Sequence, residues 1–127
     1  MKYIIDSYAW VEYLEGGKLG EKVREIIMGD DEIISLSVVV AEVVSKVKRK
    51  NGNVEIAYNA INLNSNIIEL SSEAAKKAGL LHAETRKKIE NFGLVDAMLL
   101  ILARDIKAKI LTGDNHLKDF KEVMFLK

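Results

Sequence analysis

The sequence predicts an α/β fold: a three-layer α/β/α sandwich around a central, mainly parallel five-stranded sheet. Three observations predict it. Short β-rich runs alternate with longer segments of helical period, one segment near the end of the chain is apolar on every side, and no linker or repeat interrupts the 127 residues. A single domain over residues 1–127 is therefore expected.

Tyr3 to Ile5 begins a strand, and Asp6 and Ser7 are cap residues for a helix carrying Trp10, Val11 and Leu14. A second helix runs from about Leu19 to Met28, before the turn Gly29-Asp30-Asp31. Glu32 to Leu36 reads as a strand, and Ser37 is placed to cap a helix through Val47 that ends near Asn51-Gly52. Val54, Ala57, Tyr58 and Ile61 then recur at helical spacing. Ile67 to Leu70 makes another short strand, and Ser71-Ser72 starts a long helix with room to extend as far as Lys88. Gly93 breaks the chain before the apolar helix Leu94 to about Ile106. Lys109 to Thr112 forms a strand ending at Gly113-Asp114, and Glu122 to Leu126 supplies the last one.

Composition removes several function classes. With no cysteine there is no disulfide framework, zinc ribbon or thiol chemistry. The N-terminus meets an aspartate after a short apolar run, leaving no room for a signal-peptide core, and the longest apolar stretch, Ala97 to Ala103, is far below membrane-spanning length. A cytoplasmic protein with no membrane partner is expected. The formal charge is zero, so nucleic-acid binding would depend on local patches or on metal ions.

In an open parallel sheet, ligands bind beyond the carboxyl ends of the strands. Asp6 follows the first strand and Asp114 the fourth, so their carboxylates meet if those strands are neighbours; each also reads as an ordinary cap or turn aspartate. Glu42 lies early in the helix after the second strand and leans toward the same edge, though its neighbours Ser45, Lys46 and Arg49 equally describe a solvent face. Asp96 sits at the start of a helix that should be buried, where a carboxylate needs a cation, a donor or water; a favourable acid in a first helical turn is the alternative. Carboxylates collected within about 4 Å repel by roughly 4 kcal/mol per pair at an effective dielectric near 20, which a cation would relieve. Oxygen ligands without cysteine favour Mg²⁺ or Mn²⁺ over zinc, and His116, beside a turn, reads as a polar surface residue.

The segments IIDSYAW, VVVAEVVSKV, GLVDAMLLILAR and KILTGDNHL, in this order and spacing, resemble the PIN-domain family, and within it the VapC-type toxin ribonucleases. The resemblance spans nearly the whole chain. It implies that Asp6, Glu42, Asp96 and Asp114 form a catalytic metal site for Mg²⁺ or Mn²⁺, with Ser7 and Thr112 supporting it. Many relatives have threonine where this chain has Ser7, and some carry an extra acid where it has Asn115, which leaves one or two bound ions open.

The implied activity is metal-dependent endoribonuclease cleavage of RNA, leaving a 5′-phosphate and a 3′-hydroxyl, by the toxin of a VapBC-type toxin–antitoxin pair. Candidate RNA contacts are Lys46 and Arg49, with Lys48 and Lys50, and Arg86 and Lys87, with Lys88; a solvated helix face is the plain alternative for both clusters. Apolar residues Val54, Ala57, Tyr58, Ile61, Leu80 and Leu81 suggest a homodimer, or else plain core. A cognate antitoxin is expected to lay a tail in the groove above the acids. The rival readings are a non-catalytic PIN-fold module binding RNA or protein, a housekeeping RNA-processing nuclease, and a receiver domain. The last fails on sequence because the strand Ile67 to Leu70, taken as the middle one, is followed by Ser71-Ser72 and not by aspartate.

Overall fold

In the computed structural model, which describes residues 1–127, strand β1 (Lys2–Ile5) lies at the centre of the sheet. Helices α1 (Ser7–Glu15) and α2 (Lys18–Ile27) carry the chain to β2 (Glu32–Leu36), and α3 (Ser37–Arg49) and α4 (Val54–Asn64) carry it on to β3 (Asn66–Ile68). The chain then crosses back through α5 (Ser72–Thr85) and α6 (Leu94–Ile106) to β4 (Lys109–Thr112) on the other side of β1. A 3₁₀ turn over Asn115–Leu117 leads to β5 (Val123–Phe125). The order is β3-β2-β1-β4-β5 and every pairing is parallel.

Right-handed crossovers put α1–α4 on one face of the sheet and α5–α6 on the other, giving the three layers. Both faces being covered explains why β1, β2 and β4 read as apolar runs and not as alternating ones. Ile4, Ile5, Ile110 and Leu111 are fully buried, as is Trp10 of α1. The Trp10 indole N–H donates to Ser35 Oγ at 2.9 Å, and Ser35 pairs with Ser65 Oγ at 2.9 Å, which donates to the Ile61 carbonyl. This buried chain of hydroxyls satisfies the indole and ties α1 to β2 and the end of α4.

Several expectations are corrected. Ser37 is the first residue of α3 and not its cap; Leu36 holds that position, with no side-chain hydrogen bond. The helix with room to extend as far as Lys88 stops at Thr85, and the third and fifth strands are three residues each, too short for their ends to show in hydrophobic pattern. Ala57 and Ile61 belong to the core, where α4 packs on α3, whereas Ile56, Tyr58, Leu63 and Leu80 are the exposed apolar residues of α4 and α5. The strand after α4 is an edge strand; the central one is β1, which Asp6 follows. A receiver-type sheet has the order 2-1-3-4-5, so strand order, and not the residue after β3, is what excludes that architecture. No helix is long and apolar enough to cross a membrane.

Candidate active site

Strand order reverses between β1 and β4: the chain winds outward from β1 through β2 and β3 on one side, and through β4 and β5 on the other. The loops after those two strands diverge to opposite sides and leave a crevice at their carboxyl ends. Asp6 and Asp114 are the residues that flank it.

Asp6 sits where β1 becomes α1. Its N–H continues the pairing with β4 through the Leu111 carbonyl at 3.3 Å, and its Oδ1 accepts from the Ala9 N–H at 2.8 Å as the N-cap of α1. Asp6 thus caps α1 from the position at which it flanks the crevice. Across the strand pair, Thr112 is fully buried; its Oγ1 accepts from the Asp114 N–H at 3.0 Å, and its hydroxyl also hydrogen-bonds Asp6. Asp96 is the third residue of α6, and its Oδ2 accepts from the Gly93 N–H at 2.8 Å, capping that helix.

His116, from the 3₁₀ turn after β4, reaches both remaining aspartates. Its Nε2 lies 2.9 Å from Asp96 Oδ2 and its Nδ1 lies 2.7 Å from Asp114 Oδ1. The ring therefore links the start of α6 to the end of β4. From sequence alone His116 reads as a polar residue on the surface. Its spacing two residues after Asp114 in a tight turn was the available signal for the nearer contact; the partner twenty residues away in sequence left none.

Glu42 projects from α3 toward the same edge, half-buried and hydrogen-bonded to Ser7. The electrostatics bind the quartet together. Burial pushes the Asp6 carboxyl up to about 7, against the hydrogen bonds from Thr112 and Ala9, and the charges of Asp114 and Asp96 push it further the same way. Burial likewise raises Glu42, opposed by Ser7 and reinforced by Asp96. Four carboxylates from four elements thus share one field. No three of them are drawn in tightly enough to ring an ion as they stand. Mg²⁺ keeps several waters and takes one or two carboxylates together with substrate phosphate, so a loosely gathered set of oxygens is compatible with it.

A groove of about 520 Å³ runs from Asp114 and Glu42 past Tyr8 and along α3 to Ser45, Lys46 and Arg49. Arg49 Nε donates to Ser45 Oγ at 3.3 Å. A Cβ at Gly113 would meet the Tyr8 ring at 2.4 Å, so glycine there lets the ring lie against the chain beside Asp114. The polar face of α3 is therefore the wall of the acid groove. Of the other basic residues, Lys50 pairs with Glu15 at 2.9 Å, while Arg86 and Lys87 lie outside the groove in the connection from α5 to α6, Lys87 pairing with Glu84 at 3.1 Å. A separate cavity of about 230 Å³ between α1, α3 and α4, lined by Val11, Leu14, Val47 and Ile56, contains none of the four acids.

A family model of the PIN domain matches residues 3–123 of the chain. No curated protein matches it in sequence. Among solved structures, a toxin–antitoxin complex from Klebsiella pneumoniae superposes with a TM-score of 0.74 at 17% identity, covering 98% of this chain and 98% of that one. The VapC20 toxin of Mycobacterium tuberculosis, which cleaves the sarcin–ricin loop, gives 0.73 at 16% identity over 95% and 98% of the two chains. VapBC2 from Rickettsia felis, bound to a promoter DNA fragment, gives 0.73 at 21% identity over 98% and 97%. At these identities the likeness concerns the fold.

Proposed function

Because the chain belongs to the PIN-domain family, we propose that it is a metal-dependent endoribonuclease, the toxin of a VapBC-type toxin–antitoxin pair. One observation carries this reading: Asp6, Asp96 and Asp114 come from three separate elements to the crevice at the strand-order switch, beside a groove walled by Lys46 and Arg49. The solved VapC toxin structures with which the fold superposes support it.

The donors are carboxylate oxygens with no thiol among them, which suits Mg²⁺ or Mn²⁺. Asp6, Asp96 and Asp114 would hold the ion, with Glu42 on the groove side. When bound, the metal lowers the pKa of an attacking water and stabilises charge on phosphate and leaving oxygens. The protein's own groups do the rest. Thr112 and Ser7 orient Asp6 and Glu42, Lys46 and Arg49 draw the phosphate backbone along α3, and one carboxylate accepts the proton of the water. Water adds to phosphorus as the P–O3′ bond breaks, and the departing 3′-oxygen takes a proton from solvent, leaving a 5′-phosphate and a 3′-hydroxyl. Arg86 and Lys87 would act only on RNA long enough to leave the groove.

Purified protein is expected to cleave single-stranded RNA with Mg²⁺ or Mn²⁺, to stop in EDTA, and to lose substrate affinity with rising salt. A cognate antitoxin tail, reaching Asp6 or Asp96 with a basic side chain, should stop the same reaction. Undiminished cleavage in EDTA would overturn the metal mechanism.

Exposed Ile56, Tyr58, Leu63 and Leu80 are more apolar surface than α4 and α5 need for their own packing, and we assign them to a homodimer interface. Light scattering at micromolar concentration should return twice the chain mass. A monomer mass would refute the assignment.

A further inference from the structure

The oxygens of the aspartates are used unequally. Asp96 Oδ2 accepts from Gly93 and faces His116 Nε2, while Asp114 Oδ1 faces His116 Nδ1. Asp96 Oδ1 and Asp114 Oδ2 accept no hydrogen bond from the protein. Each carboxylate is thus held by one oxygen and free at the other. That division is what a cation ligand needs, because a carboxylate gripped by one oxygen cannot rotate its other oxygen away from the ion.

We propose that His116 is a positioning residue that clasps Asp96 and Asp114 at a fixed separation, leaving one oxygen of each for the metal. The inference rests on the metal-site reading above. Asp114 needs the clasp most: it follows β4 on a connection whose only regular structure is the 3₁₀ turn over Asn115–Leu117, and its side chain is the more exposed of the two, 36% against 18%. Asp96 is already held by its helix cap. The imidazole is a rigid spacer with a nitrogen toward each carboxylate, 2.9 Å from Asp96 and 2.7 Å from Asp114. It couples the loosely held acid to the firmly held one.

The test is Mn²⁺ binding by isothermal titration calorimetry, with no substrate present, for the wild type and three variants. His116→Ala removes both arms. His116→Asn keeps an amide near the place of Nδ1, and so the Asp114 arm; His116→Gln keeps one near the place of Nε2, and so the Asp96 arm. Ala is expected to weaken Mn²⁺ binding by about 10–100-fold, the usual cost of losing a group that orients ligands, with Asn and Gln falling between it and the wild type. If the alanine variant does not fold, the Asn and Gln variants carry the comparison.

Equal or tighter binding by the variants overturns the proposal, since a side chain that competed with the ion would release affinity on removal. Nitrogen hyperfine coupling in the electron paramagnetic resonance of wild-type Mn²⁺ protein also overturns it, because His116 would then be a ligand itself. Wild-type protein that binds no Mn²⁺ would instead sink the metal-site reading, and this inference with it.

Discussion

Asp6→Asn is expected to reduce cleavage by about a thousandfold or more and, without metal, to raise the unfolding temperature at about pH 8. The first effect follows from removing a carboxylate that, on the proposed function, would hold the ion: several kcal/mol of charge stabilisation at 1.36 kcal/mol per decade is roughly a thousandfold in rate. The second follows from burial. In the folded protein Asp6 titrates near 7 against an ordinary 3.8, so between those values the folded state holds a proton that the unfolded chain has released. The contribution of Asp6 to metal-free stability is therefore greatest below about pH 4, falls as pH rises, and levels off above about pH 7, with an upper bound near 4 kcal/mol.

Asparagine carries no charge to bury and keeps an oxygen for the Ala9 N–H, so the helix cap survives. Calorimetric unfolding at about pH 5 and pH 8, with and without Mn²⁺, reads this directly. The variant should gain more on the wild type at pH 8 than at pH 5, and Mn²⁺ should stabilise the wild type alone. A variant that loses stability equally at both pH values would show that the Asp6 charge is structural and not held in reserve for a cation.

Gly20→Ala should destabilise the fold by about 1–3 kcal/mol, lowering the melting temperature by roughly 5–15 °C at this chain length. A Cβ at this position would lie 2.1 Å from the carbonyl oxygen of Glu12 and 2.9 Å from its carbon, and both are backbone of α1. No rotamer relieves that clash; α2 must move away from α1, the helix that Asp6 caps. Gly79→Ala in α5 is the matched control, with nothing within 4 Å of its Cβ, and should stabilise by up to about 1 kcal/mol through helix propensity alone. Thermal unfolding of the two variants should move in opposite directions. An unchanged melting temperature for Gly20→Ala would mean that the α1–α2 contact is looser than it stands here.

These expectations depend on different levels of the chain, and legibility differed accordingly. Elements with a strong period or a run of β-branched residues were readable in the sequence: the strands Glu32–Leu36 and Lys109–Thr112 coincide with β2 and β4, and the apolar helix from Leu94 to about Ile106 with α6. The short strands β3 and β5 were misplaced at their ends, because three residues carry too little pattern to separate strand from its flanks. The quartet Asp6, Glu42, Asp96 and Asp114 was marked by its positions after strands and at helix starts and by the family resemblance. His116 was not, because its role is defined by an aspartate on another element.

Local sequence by itself determined the alternation of strands and helices, the acids at their junctions and the absence of thiol chemistry, since each of these depends on neighbours within a turn or a strand. Strand order was decided only in three dimensions. With β1 at the centre and β4 beside it, the order reverses between Asp6 and Asp114, and the crevice opens there. The double placement of Asp6 and Asp96 was decided there as well: one oxygen of Asp6 caps α1 and one of Asp96 caps α6, while their charges reach across elements to one another. Electrostatic energy depends on distance and burial and not on sequence separation, so which carboxylates share a field, and which imidazole lies between them, is set by packing alone.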